Sequence, residues 1–482
     1  MSLILLSLGS SGAFAAPAKQ ILFLSFDYGD ANNFNILIDH MPAEYQYKVI
    51  AIGKAYDLFN NRSLNNRSLN GSSFNNSSFN RNLAHSSQCL SKKQNSQLTA
   101  NRSQLLPQSS LHCLFDAMKQ ADFIPDVIVS SMSSAALAQI INAYKNDTYH
   151  ISKSRDSNEK NTKQTRIIAY YDNLDPYPAL SPLVNANSHH RQVRYPEHYT
   201  TPFLHQLDDH ALNALFIPNE RIKASFIHHF NSKKLSQNIN KAIHIVGSPA
   251  LMLWQASPHF IDSSAPLKDK NKQTANNSNA NVNVNANKIT KSPFITTCPT
   301  EQQMFKLLDI DPSKKTVIFA GGTSQSYQKA FIQFVKAMAQ LPQYEALVTY
   351  HPKTQGHLEQ AAILNNSTLH NVKLVDPHKI STYCLTRLSP VFIVHQSSMG
   401  TAALSVPKNV IFITKNYTND AIEHGLADRA YQVENIKKTI INAFNKKPNS
   451  HNFYTYFGMP EHAVDAFYLA LKNETENTRR SL

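Results

Sequence analysis

Gln20-Ile-Leu-Phe-Leu-Ser-Phe26, followed by Asp27-Tyr28-Gly29-Asp30-Ala31-Asn32-Asn33, is the stretch on which the fold turns. Apart from Gln20 and Ser25 the first run is wholly apolar. That is the pattern of a strand covered on both faces, as in a parallel sheet. A polar loop with one glycine follows, and Phe34-Asn-Ile-Leu-Ile-Asp-His40 then changes to helical spacing. A second apolar run, Tyr47-Lys-Val-Ile-Ala-Ile52, stops at Gly53. Strand, loop, helix and strand open a doubly wound α/β sheet.

Outward from this unit the same rhythm recurs. Residues 125–130 read as a strand, and Ser131-Met-Ser-Ser supplies side chains that cap the helix after it. Strands are predicted over 166–171, 213–217 and 242–246, the last ending in Gly247-Ser248-Pro249. A second series begins at 315–320 and continues through 346–350, 372–375, 390–394 and 409–413. Two successive series predict two Rossmann-like lobes with a cleft between them.

Two tracts interrupt the rhythm. Residues 60–79 repeat a five-residue unit with Leu64, Leu69, Phe74 and Phe79 in register, and residues 276–287 alternate Asn with small residues. About four units are too few for a self-supporting solenoid, so both tracts read as low-complexity insertions. The resulting division is a leader over 1–16, a first lobe over 19–248 with an insertion at about 59–105, and a linker over 249–300. A second lobe over 301–450 and a C-terminal helix and tail over 451–482 complete it.

Composition narrows the function. The 482 residues exceed one ordinary core. Charged residues are 17%, below the usual quarter. The net charge of +14 is scattered rather than gathered in a basic run or a basic, aromatic-studded helix. A nucleic-acid partner is therefore not expected, while peripheral contact with anionic lipid is compatible. The apolar start and Ala13-Phe14-Ala15 resemble a secretory signal with a small-x-small cleavage site. The expected location is periplasmic or secreted if that leader is a signal, and cytoplasmic otherwise. Cys89, Cys113, Cys298 and Cys384 show no CxxC or zinc spacing and fit either disulfides or free thiols. His189-His190, His205, His210 and His228-His229 lack carboxylate or cysteine partners at ligand spacing, so no metal is expected.

Four segments carry a family resemblance. Val246-Gly-Ser-Pro249 is a turn before an apolar run, and Leu308-Asp-Ile-Asp-Pro312 leads through a strand into Gly321-Gly322-Thr323. His351-Pro352-Lys353 follows another strand, and Gln396-Ser-Ser-Met-Gly400-Thr-Ala-Ala-Leu404 opens a helix after a third. In this order they resemble the GT-B superfamily of two-lobed glycosyltransferases and UDP-N-acetylglucosamine 2-epimerases, best over residues 246–430. The resemblance implies a nucleotide-sugar substrate, no separate cofactor, and a glycan or lipid-linked acceptor. It implies a donor diphosphate held by Gly321, Gly322, Thr323, His351, Lys353, Ser397, Ser398, Gly400 and Thr401. Helix-start N–H groups and glycine backbone suit that task. One departure stands out: the family's ribose-binding glutamate falls on Ala402 or Ala403.

Asp30, at the end of the first strand, is the expected general base, with Asp172, Asp175 and Glu423-His424 as other strand-end candidates. The leading expectation is metal-independent sugar transfer. A noncatalytic periplasmic binding protein on the same two lobes and a 2-epimerase-like enzyme are the alternatives.

Overall fold

A computed structural model describes residues 18–56, 58–59, 89–154, 165–174, 203, 206, 212–232, 239–255, 298–351, 354–366, 369–377, 379–448 and 450–476. Both Asn-rich tracts, the leader, Asp175 and Lys353 lie outside these residues.

Twelve described strands form two parallel sheets of six. The first runs β2-β1-β3-β4-β5-β6: β1 (Lys19–Ser25), β2 (Tyr45–Ala51), β3 (Val127–Ser131), β4 (Arg166–Tyr170), β5 (Ala214–Ile217) and β6 (Ile243–Ile245). The second runs β12-β11-β10-β7-β8-β9: β7 (Lys315–Ala320), β8 (Tyr344–Thr349), β9 (Val372–Val375), β10 (Val391–Val394), β11 (Asn409–Ile413) and β12 (Asp428–Ala430). The apolar strands earn their composition by facing two cores at once. Leu22 and Leu24 of β1 point into one cluster while Ile21 and Phe23 point into another. In β7, Ile318 and Ala320 face one side and Val317 and Phe319 the other.

The strand order matters for the site. After β1 the chain passes to β2 on one side and then to β3 on the other, and β7 likewise lies between β8 and β10. Each sheet therefore reverses direction once, between β1 and β3 and between β7 and β10. Ligands of open α/β sheets collect beyond the carboxyl ends of strands at such reversals.

Beyond the sequence reading lay β12, a sixth strand in a series read as five, and three further features. Helix Lys92–Ala100 falls inside the stretch read as low-complexity. A capping box at Ser91 and Gln94 starts it, and Asn95 both accepts from and donates to the Gly53 backbone, at 2.6 and 3.0 Å. The cysteines form two disulfides, Cys89–Cys113 and Cys298–Cys384, leaving none free. The C-terminal segment is two helices, His451–Phe457 and Ala463–Glu476, separated at Gly458 in the left-handed region. The second helix returns to the first lobe. Phe467 and Leu471 enter its core, the Tyr468 hydroxyl donates to Leu37 O at 2.7 Å, and Arg166 pairs with Glu474 at 3.0 Å. Among the described residues no helix is long and apolar enough to cross a membrane.

Candidate functional site

At the β1/β3 reversal the register puts Leu24 level with Ser130, and Ser131 level with Tyr170, so Ser25 and Ser131 follow at adjacent strand ends. Asp27 caps helix Tyr28–Asp39, and Asp30 closes the capping box as its third residue. The Asp30 carboxylate is fully buried. It accepts from Ser25 Oγ at 2.7 Å, from the Phe26 and Asp27 N–H groups at 3.0–3.2 Å, and from the hydroxyls of Ser131 and Ser133. Those five donors occupy the capacity of a carboxylate, about four lone-pair sites. Burial raises its pKa, against the pull of the serine hydroxyls. Asp30 thus stands where the sequence put it, but as the knot that ties β1 to β3 rather than as a group open to substrate.

Asp172, like Asp27, is a partly accessible carboxylate of the cluster. It follows β4 and is half-buried, and a Cβ at Gly29 would run into its Oδ2, so that glycine is what admits it. Burial first, then the charges of Asp30 and Asp27, push its pKa up to about 7. Arg102 and Lys54 both pair with Asp27. The Arg102 backbone is held by Ser134 and by the Ala135 N–H at 3.2 and 2.9 Å.

The loop that carries Asp172 continues into the second lobe. Leu174 packs in the same core cluster as Leu251, Trp254, Val394 and Phe412, and Asn219 Nδ2 donates to its carbonyl at 3.0 Å. Asn33 joins the lobes from the other side. Its Oδ1 accepts from Ser248 Oγ at 3.1 Å and from the Ala250 N–H at 2.8 Å, just after the Val246–Pro249 turn.

At the β7/β10 reversal Val394 is level with Ala320, so Gly321 and His395 begin adjacent loops. Gly321 donates to Thr349 O at 2.7 Å and lies against Tyr350, which brings the loop beside His351. Gly322 rests on the Tyr327 ring. Thr323, Ser324, Gln325 and Ser326 are exposed at the start of helix Gln325–Met338, whose first turn Ser324 caps at 3.1 Å. His395, which the sequence reading missed, is buried between the two loops. Its Nδ1 lies 2.7 Å from Ile413 O, a group that only accepts, so Nδ1 carries the proton and Nε2 accepts from Ser326 Oγ at 3.0 Å. Burial lowers its pKa and keeps the ring neutral.

The expected donor residues divide. Gly321, Gly322 and His351 are half-buried and Thr323 exposed around one reversal, and Ser397 is half-buried and Ser398 exposed at the helix start after β10. Gly400 and Thr401 are buried instead. A Cβ at Gly400 would sit 2.6 Å from the Phe412 ring and 2.7 Å from Val394, so this glycine serves helix-on-sheet packing. Glu423 and His424 are exposed at the end of the short helix Asp420–Glu423 after β11. His189, His190, His205 and His210, and the side chains of His228 and His229, lie outside the described residues. Among the described residues no three His, Cys, Asp or Glu side chains gather as a metal-ligand set.

Two parallel sheets, each with a reversal beneath polar loops and joined near Asn33 and Leu174, define a two-lobed α/β fold of the GT-B type. Solved structures with this architecture include the UDP-GlcNAc 2-epimerases of Neisseria meningitidis, bound to UDP-GlcNAc, and of Methanocaldococcus jannaschii. The first is 13% identical with a TM-score of 0.55, and the second 12% identical with a TM-score of 0.54. Each alignment covers 94% of this chain and 99% of the other. The UDP-N-acetylglucosamine 2-epimerase of Rickettsia bellii is similar at 9% identity, with a TM-score of 0.53 over 96% and 99% of the two chains. No family model and no curated protein sequence matches the chain.

Proposed function

We propose that this protein is a nucleotide-sugar enzyme. The second-lobe reversal would hold the donor diphosphate and Asp172 would act as general base. The observation that carries the reading is the setting of Asp172: half-buried, brought to about 7, and borne on the loop that runs into the second lobe's core. A base poised near neutrality is suited to taking a proton at working pH. In sugar transfer, Asp172 removes the proton of an acceptor hydroxyl as its oxygen bonds to the anomeric carbon. The bond from that carbon to the phosphate oxygen breaks, and the nucleoside diphosphate leaves with the electron pair. Backbone N–H groups of the 321–326 loop, with His351, would steady the departing charge without a metal. A glycan or lipid-linked acceptor provides the hydroxyl.

A 2-epimerase-like reaction is the second reading, favoured by solved structures of this fold whose proteins carry that activity. Asp172 would then take a proton from carbon. One experiment separates the readings: incubation with UDP-GlcNAc, with and without hydroxyl acceptors, followed by NMR. Release of UDP only with acceptor supports transfer, and appearance of the 2-epimer without acceptor supports epimerisation. Failure to bind or turn over UDP-GlcNAc, UDP, or CMP-, GDP- and TDP-linked sugars would sink both and favour a noncatalytic binding role. A periplasmic or secreted location remains part of the proposal, in keeping with two disulfides and no free cysteine.

A further inference from the structure

Beneath the glycine loop of the second lobe lies a polar pair that neither folding of the sheet nor the reaction above accounts for. Glu359, on helix His357–Leu364 after β8, is fully buried. One carboxyl oxygen, Oε1, accepts from the Tyr327 hydroxyl at 2.6 Å, and the other, Oε2, is buried with no hydrogen-bond partner. A buried carboxyl held by one hydrogen bond is costly, because the unpaired oxygen has lost its water and gained nothing. Such a group is retained for what it positions or not at all.

What it touches is the loop. A Cβ at Gly321 would lie 2.8 Å from Glu359 Oε1, and one at Gly322 2.9 Å from the Tyr327 ring. The two consecutive glycines therefore lie directly on the two members of the pair, with no side chain between. The Tyr327 N–H also donates to the capping Ser324 hydroxyl, and Ser326 beside it binds His395. Loop backbone, helix start and the β10 end are all referred to this one pair.

We propose that Glu359 and Tyr327 are the positioning pair of the 321–326 loop, holding its backbone in the shape that receives a diphosphate. The inference rests on the donor site argued above, and neither residue touches the donor in it.

Two measurements test it. The first is hydrogen exchange of the ligand-free protein. Tyr327→Phe strips Glu359 of its hydrogen bond, and exchange over 321–326 should rise about tenfold while helix Val433–Asn445 keeps the parent rate. Glu359→Gln retains an acceptor for Tyr327 and should stay within about twofold of the parent. The second is titration with UDP and UDP-GlcNAc together with steady-state kinetics. Tyr327→Phe should weaken UDP binding about tenfold and lower kcat/KM by at least as much, because the loop N–H groups both hold the diphosphate and steady its departing charge. Gly322→Ala reaches the same contact from the loop side and should act alike, which keeps the test alive if Tyr327→Phe does not fold. Unchanged exchange in 321–326, or UDP bound by the variants as tightly as by the parent, overturns the inference. A parent that binds no nucleotide while the exchange result holds overturns the donor reading and leaves the pair as the loop's anchor.

Discussion

At the β1/β3 reversal the chain gathers Asp27, Asp30 and Asp172 among serine hydroxyls and Arg102. At the β7/β10 reversal it offers glycine backbone, serines and a neutral histidine. Both crevices are made by the same topology, yet they do opposite things with charge. The first concentrates negative charge and buries it, so that Asp30 must be satisfied entirely by protein donors while Asp172 absorbs the strain as a raised pKa. The second sets a carboxyl, that of Glu359, beneath the glycine loop on the Tyr327 hydroxyl and presents backbone and serine donors at the surface. The first arrangement suits the proton transfer proposed for Asp172, and the second suits the anion proposed for the glycine loop.

The two carboxylates, Asp30 and Asp172, should respond differently to removal. Asp30→Ala leaves five donors without their acceptor and should cost about 3–5 kcal/mol in chemical denaturation, enough to unfold the first lobe. Asp172→Asn should fold normally and lose about 10³-fold in turnover with donor affinity kept, as expected for loss of a general base. A stable, inactive Asp30 variant would reverse the assignment.

Its pH dependence sharpens the same contrast. Turnover should rise through about pH 7 as Asp172 ionises. Stability should move the other way. A carboxyl whose pKa is higher folded than unfolded adds stability below its unfolded value, and that gain disappears as pH rises through about 7. Asp172→Asn should therefore be more stable than the parent above pH 7, by on the order of 1–3 kcal/mol in thermal melts, and show no such slope.

Smaller effects fall at the second reversal. Gly400→Ala should cost about 2 kcal/mol by crowding Phe412 and Val394, and should alter donor affinity only as far as it alters folding. A binding defect in fully folded Gly400→Ala would return that residue to the site. Ser324→Ala removes the cap of helix Gln325–Met338 and should cost about 1 kcal/mol, with a few-fold loss in donor affinity.

Much of this architecture was legible from residues 20–33 and 315–323, because strands covered on both faces must be apolar along their whole length. The position of Asp30 at the end of β1 could be read, and so could the glycine pair after β7. The function of each could not. Whether a carboxylate is a base or a knot depends on groups distant in the chain, here Ser131 and Ser133, and no local pattern encodes them. Gly400 and Gly321 look alike in sequence, yet one makes room for Phe412 and the other lies on Glu359.

The order and type of the elements, the two lobes and the polar strand ends were thus determined by the sequence itself, through hydrophobic periodicity and turn chemistry acting over a few residues. Only the tertiary structure decided that Asp172 is half-buried while Asp30 is fully buried, that Cys89 pairs with Cys113 and Cys298 with Cys384, and that the last helix returns to the first lobe. The reason is physical: burial, ionisation and cross-links are set by neighbours in space, and those neighbours come from segments tens to hundreds of residues apart.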